Sequence, residues 1–174
     1  MKRIARFHRV SEEQFAEDFK EAMPGFTDAE IHDIYGRIQL PTRATVGSAG
    51  YDFYSPFTFN LRPGEGIRVP TGIRVEMEDS WVLSLYPKSG LGFNYRLQLN
   101  NTVGIVDSDY FNADNEGHII AQLTNDSRAG REMRIESGMG IIQGVFTEYG
   151  ITTDDDTHEL RHGGFGSTAK KKTP

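Results

Sequence analysis

Cysteine is absent from this 174-residue chain, so disulfides and thiolate metal sites are excluded. Long apolar runs are also missing: nothing approaches the roughly 18–20 residues of a membrane span. The opening MKRIARFHRV is charged throughout and lacks the apolar stretch of a secretion signal, so a cytoplasmic home is expected. There is no excess of positive charge: 19 Lys and Arg stand against 25 Asp and Glu, a net charge of −6. An acidic surface repels polyanions, which argues against general nucleic-acid binding. Any phosphate ligand must then be held by a few local cations, by backbone N–H groups or by a metal. Metal-ligand spacing is lacking as well. His8, His32, His118, His158 and His162 form neither HExxH nor a helical i,i+4 pair, since Gly163 and Gly164 follow the last two directly. Solvated histidines, rather than metal ligands, are the reading. No internal repeat is visible, and the length suits one domain with a real core.

Hydrophobic alternation is what the chain has in place of these features. GIRVEMED sets Ile73, Val75 and Met77 on one face and Arg74, Glu76 and Glu78 on the other, the period of a half-buried strand. WVLSLY alternates Trp81, Leu83 and Leu85 against Val82, Ser84 and Tyr86, and HIIAQLT does so with Ile119, Ala121 and Leu123. RPGEG and YPKSG read as turns or loops between them. Many short strands with turn signals predict an all-β sandwich or barrel. The first 36 residues differ. SEEQFAEDFKEAM carries Ser11 and Gln14 at capping-box spacing, with Phe15 and Phe19 four apart on one helical face. TDAEIHDIY repeats the signature with Thr27, Glu30, Ile31 and Ile34. Two short helices divided by Pro24-Gly25 are expected, preceded by a strand in RIARFHRV. They should pack on the barrel or on a neighbouring subunit.

Four loops carry chemistry. SAGYDFYS sets Asp52 after a small-residue turn. PKSGLG gathers Lys88, Ser89 and Gly90 behind a strand, where a cation, a hydroxyl and backbone amides can meet a phosphate; the same stretch also reads as a plain turn. NNTVGIVDSDYF leads an apolar run to Asp107, then Asp109 and Tyr110. If the strand continues, both aspartates share a face. Asp107 suits a general base for activating water, and an Asp-Ser-Asp turn is the alternative. The closing RHGGFGSTAKKKTP has the composition of a loose tail, yet it holds Phe165, an expensive side chain to leave in water.

Taken in order, SAGYDFYS, PKSGLG, NNTVGIVDSDYF, GMGIIQGVF and RHGGFGSTAK resemble the five motifs of the trimeric dUTPases, over about residues 37–174. The resemblance implies a distorted jelly-roll β-barrel (the dUTPase-like β-clip) in a homotrimer with active sites at subunit interfaces. It implies an enzyme that splits dUTP into dUMP and pyrophosphate with Mg2+ on the triphosphate. It divides the chain into an N-terminal extension with two helices (1–36), the barrel (37–160) and a mobile glycine-rich arm (161–174). Asp107 would activate the attacking water. Asn101, Gly104 and the backbone around them would read uracil, and the Tyr110 ring would pack on deoxyribose and exclude a 2′-hydroxyl. Lys88, Ser89, Gly90 and Gln143 would contact phosphates, and Asp52 would organise the metal-water shell. From the arm, Arg161 would reach the terminal phosphate and Phe165 would stack on the base. Gly166, Ser167 and Thr168 would grip phosphates as the arm closes. The metal needs no direct protein ligand, because magnesium keeps several waters and is carried by phosphate oxygens. Neither nucleic acid nor membrane is an implied partner.

The chain departs from the family pattern in places. Lys88 stands where arginine is usual, and GIIQG replaces the usual fourth motif. The tail is one residue shorter between Arg161 and the Gly-Gly-Phe-Gly run. FNADNEGH lengthens the loop after Tyr110 and brings Asp114 and Glu116, to which the resemblance assigns no role. Two other readings use the same fold: a dCTP deaminase, which needs a glutamate at the pyrimidine, and a nucleotide-dependent binding protein docking through the helical extension or the Tyr110 loop.

Overall fold

The computed structural model describes residues 2–159, 161 and 163, and its first element is the strand expected in RIARFHRV. After β1 (Ala5–Arg9), the Ser11 side-chain oxygen accepts the Gln14 backbone N–H at 3.1 Å and caps α1 (Glu12–Ala22). Only half of that capping box forms, because the Gln14 side chain turns forward and donates to Asp18 at 3.0 Å. Gly25, at φ +108°, turns the chain in a conformation that a side chain would strain. Thr27 and Glu30 then close a full reciprocal box at the start of α2 (Asp28–Gly36). The four-residue spacing places Phe15 and Phe19 on one face, and both are fully buried. Phe19 meets Phe57 edge-on at 5.2 Å, so the helices pack on the chain's own β-structure.

The barrel is built from short strands. In chain order these are β2 (Tyr51–Tyr54), β3 (Phe59–Leu61), β4 (Gly66–Pro70), β5 (Ile73–Met77) and β6 (Trp81–Pro87), followed by α3 (Ser89–Tyr95). Then come β7 (Leu97–Leu99), β8 (Gly104–Val106), a 3-10 turn (Ser108–Asn112), β9 (Ile120–Asn125), β10 (Met133–Ile135) and β11 (Gly140–Glu148). The helix α3 departs from the turn expected at PKSGLG. It runs until Arg96 ends it in the left-handed conformation at φ +52°.

Strands distant in sequence lie side by side, in the orders β2-β11-β6-β8, β4-β9-β7, β1-β5 and β10-β3. Every one of these pairings is antiparallel. This all-β, non-sequential order is the jelly-roll arrangement. The alternation read from the sequence points inward as expected: Ile73, Val75 and Met77 are buried while Glu76 faces out. One continuous core joins Phe15 and Ile31 of the helices to Phe53, Leu83, Leu123 and Ile141 of the barrel. Each such side chain contributes about 1.5–3 kcal/mol. Among the described residues, no helix is long and apolar enough to cross a membrane.

One histidine is not where the sequence placed it. His118 is 0% exposed rather than solvated. The loop after the 3-10 turn folds inward over α1, where a carboxylate and a backbone N–H receive the ring: Asp18 at 2.5 Å and Gly72 at 2.8 Å.

Candidate active site

The site begins with the β7–β8 hairpin. Its tip is a tight turn in which Val103 N–H donates to the Asn101 carbonyl at 2.7 Å, with Thr102 between them at φ +69°. A β-branched residue at positive φ is strained, so surrounding contacts must hold this tip in shape. Gly104 follows in β8, opposite Leu85 of β6. A Cβ at Gly104 would lie 3.0 Å from that of Leu85, so glycine lets the strand sit close and leaves its backbone open to a ligand.

β8 stops at Val106 rather than running on through the aspartates. Asp107 takes the cap position of the 3-10 turn but makes no side-chain capping bond, so its carboxylate is available elsewhere. Arg161 takes it up: Nη2 lies 2.5 Å from Asp107 and Nε 2.8 Å from Asp109. The same guanidinium stands 5.6 Å from the centre of the Tyr110 ring. Tyr110 is 6% exposed. Its hydroxyl donates to the His118 carbonyl at 2.9 Å and accepts from Asn115 Nδ2 at 2.9 Å. Burial pushes its phenol pKa up, outweighing the Asn115 hydrogen bond, so the ring is a neutral wall rather than an acid. These groups surround a cavity of about 780 Å³ whose lining includes Asn101, Gly104, Asp107, Tyr110 and Arg161, a size suited to a small-molecule ligand.

A second group of predicted residues gathers at the other end of the central sheet. Gln143 in β11 pairs in register with Asp52 of β2 and Tyr86 of β6. Lys88 Nζ, just past β6, donates to Asp52 Oδ2 at 2.6 Å. The other oxygen, Asp52 Oδ1, is buried with no hydrogen-bond partner among the described residues. Ser89 and Gly90 open α3 beside it and are exposed. Two glycines make this corner possible. A Cβ at Gly50 would fall 2.3 Å from the Gln143 side chain, and one at Gly140 would fall 3.0 Å from Lys88 Nζ.

The two groups do not meet within one chain. Val106 pairs with Leu83, so Asp107 lies level with Val82, six residues back along β6 from Lys88. At about 3.3 Å per residue that is a separation of roughly 20 Å. Phe165, Gly166, Ser167 and Thr168 lie outside the described residues. No cluster of three or more His, Asp or Glu able to hold a metal occurs among the described residues. The cavity also has walls that no motif announced: Arg68 and Gln122, cross-strand partners on β4 and β9. Outward-facing polar residues on alternating strands look like ordinary surface, so the sequence held no signal for them.

Comparison with known proteins accounts for this combination. The sequence model of the dUTPase family matches residues 36–169, leaving β1, α1 and nearly all of α2 outside the match. A deoxyuridine 5′-triphosphate nucleotidohydrolase of Lactococcus lactis subsp. lactis is 40% identical over 134 residues, 75% of this chain and 88% of that protein. An enzyme of the same name from Chromobacterium violaceum is 35% identical over 156 residues, covering 85% of this chain and 99% of its own. Among solved structures, the dUTPase of Streptococcus mutans superposes with a TM-score of 0.62 at 30% identity, over 84% of this chain and 97% of the other. A mutant of the dUTPase from phage phi11 of S. aureus, whose structure reveals the coordination of a structural Mg(II) ion, shares the fold alone: TM-score 0.61 at 18% identity, over 90% of this chain and 98% of the other. By the motif order, by the hairpin that leads into Asp107 and Tyr110, and by these matches, the chain belongs to the dUTPase family.

Proposed function

We propose that this chain is a dUTP diphosphatase, hydrolysing dUTP to dUMP and pyrophosphate. The observation that carries the reading is the Asp107 carboxylate, free of capping duty, at a cavity walled by the Asn101–Gly104 hairpin and the Tyr110 ring. Uracil enters the hairpin, where backbone groups beside Asn101 and Gly104 read its edge. The tight tip rejects the thymine methyl by overpacking, and cytosine by reversed hydrogen-bond direction. Tyr110 packs on deoxyribose, leaving a 2′-hydroxyl without room or partner. Asp107 takes a proton from water as the water oxygen bonds to the α-phosphorus, in line with the departing bond to the bridging oxygen of pyrophosphate. Lys88, Ser89, Gly90 and Gln143 hold phosphates. Arg161 exchanges Asp107 and Asp109 for the terminal phosphate as the arm closes, with Phe165 on the base and Gly166, Ser167 and Thr168 on phosphate oxygens.

Mg2+, when bound on the triphosphate, offsets its negative charge and favours one orientation of the α-phosphate. The residues present fit such an ion through its waters. Asp52 Oδ1 is a buried acceptor with no partner among the described residues, suited to hold a water of a magnesium ion carried on phosphate oxygens. The roughly 20 Å between Asp107 and Lys88 supports sites shared between copies in a homotrimer, since one α-phosphate cannot touch both residues of one chain. A nucleoside triphosphate substrate is consistent with a cytoplasmic site of action. The described cavity lining carries Asp107 and no glutamate, which favours hydrolysis over deamination.

Pyrophosphate release with Mg2+, measured in parallel on dUTP, dTTP, dCTP and UTP, tests the reading. Turnover confined to dUTP is expected, with Asp107→Asn binding dUTP but losing about 10²–10⁴ in kcat. No turnover on dUTP, or ammonia from dCTP, overturns it. Equilibrium ultracentrifugation tests the trimer.

A further inference from the structure

Helix α1 lies outside the family match, yet it is bonded to the loop that holds Tyr110. The connection can be traced atom by atom. The Tyr110 hydroxyl donates to the His118 carbonyl. The Gly72 N–H donates to His118 Nε2 at 2.8 Å, which leaves the ring proton on Nδ1, and that proton goes to Asp18 Oδ2 of α1 at 2.5 Å. Asp18 is in turn fixed by Gln14 one helical turn earlier. A second tie runs in parallel. Glu116 accepts both the backbone N–H and the hydroxyl of Ser11, the cap of α1, at 2.7 and 2.6 Å. Between the two ties Gly117, at φ +69°, presses on the Tyr110 backbone so closely that a Cβ would lie 2.5 Å from its carbonyl oxygen. The loop has little freedom to shift unless these contacts break.

We propose that α1 is a positioning element for the active site. Asp18 acting through His118, and Ser11 acting through Glu116, hold the Tyr110 ring where it admits a 2′-deoxyribose and excludes a ribose. The proposal rests on Tyr110 being the sugar-packing residue of the proposed function. Its physical basis is that a wall excludes one extra oxygen only while it cannot retreat, and displacements of about 1 Å already alter turnover strongly. Asp18 and Glu116 touch no substrate; they are positioning residues. The extension and the lengthened Tyr110 loop are then two halves of one device, since each supplies an acceptor to the other: Asp18 on the helix for His118, and Glu116 on the loop for Ser11.

The test is the ratio of kcat/KM for dUTP to that for UTP, measured with thermal melts on the full chain. Tyr110→Ala should lower the ratio at least about tenfold, equivalent to about 1.4 kcal/mol. Asp18→Ala and Glu116→Ala should each lower it roughly three- to tenfold, through a better KM for UTP, as expected for a network one contact removed from the ring. Asp18→Asn keeps an oxygen that accepts from His118 Nδ1–H and should stay within about twofold of the parent. If Tyr110→Ala alters the ratio while Asp18→Ala and Glu116→Ala leave it unchanged, α1 adds only stability and the positioning role is wrong. If Tyr110→Ala itself leaves the ratio unchanged, the sugar-filter reading fails and the proposal with it. Should Asp18→Ala not fold, Glu116→Ala decides alone, because it sits at a part-buried loop position with φ +56°, where Ala is no more strained than Glu.

Discussion

Adding one methyl group at Gly50 should damage catalysis while leaving the fold nearly intact. In Gly50→Ala the new Cβ would lie 2.3 Å from Gln143 Cδ and 2.4 Å from its Cγ. That is about 1.2 Å inside ordinary carbon–carbon contact of about 3.5 Å. Gly50 has no positive φ, so its backbone accepts alanine, and the neighbour that must give way is a side chain with several rotatable bonds. Displacing Gln143 into a poorer rotamer costs about 0.5–1.5 kcal/mol. The loss of glycine's freedom in the unfolded chain returns about 0.4–1 kcal/mol. The net change is within about 1 kcal/mol, or a Tm shift of no more than about 4 °C at this chain length. Function is a different matter. An amide hydrogen bond to a charged phosphate contributes about 1.5–3 kcal/mol, so moving Gln143 off its position should lower kcat/KM for dUTP about 10- to 150-fold. Steady-state pyrophosphate release beside a thermal melt measures both quantities, with Gln143→Ala as the reference. An unperturbed Tm together with kcat/KM within twofold of the parent would refute the assignment of Gln143 to phosphate binding.

Gly117→Ala should do the reverse and lose stability first. Its Cβ would meet backbone rather than side chain, 2.5 Å from the Tyr110 oxygen and 2.9 Å from Phe111 Cα, at φ +69°. We expect a loss of about 2–4 kcal/mol in urea melts; a loss under 1 kcal/mol would mean that the loop yields easily. Asp18 should make the fold sensitive to acid. Burial opposes its ionisation, but the hydrogen bonds from His118 and Gln14 prevail and hold its carboxyl below the ordinary value of 3.8. A lowered folded pKa gives stability that is complete above 3.8 and fades as the pH falls through the folded value. Denaturant midpoints between pH 5 and 2 should therefore decline less steeply in Asp18→Asn than in the parent. Equal slopes would show that the pair does not govern the acid limb.

Much of the architecture follows from local rules. The alternation in GIRVEMED and HIIAQLT became β5 and β9 with the expected inward faces, because a two-residue period leaves one way to bury a half-apolar strand. The caps at Ser11 and Thr27 opened both helices, because a hydroxyl three residues before its N–H partner is a local geometry. PKSGLG was less legible. Its glycines argue for a turn, and only the packing of Leu91 into the core makes Ser89–Tyr95 a helix. His118 was misread because nothing near it in sequence reveals Asp18, a hundred residues away, as its partner.

The order of motifs along the chain is a property of the sequence alone, and it was enough to indicate the family. Covalent order says nothing about which motif residues share a corner. Strand pairing decided that: it set Lys88 against Asp52, placed Asp107 roughly 20 Å from both along β6, and brought Arg68 and Gln122 to the cavity wall. It also joined α1 to the Tyr110 loop through Asp18 and His118. Periodicity, caps and turns depend on neighbours within a few residues, whereas a buried hydrogen-bonded pair or a cavity wall depends on where antiparallel pairing carries residues far apart in the chain.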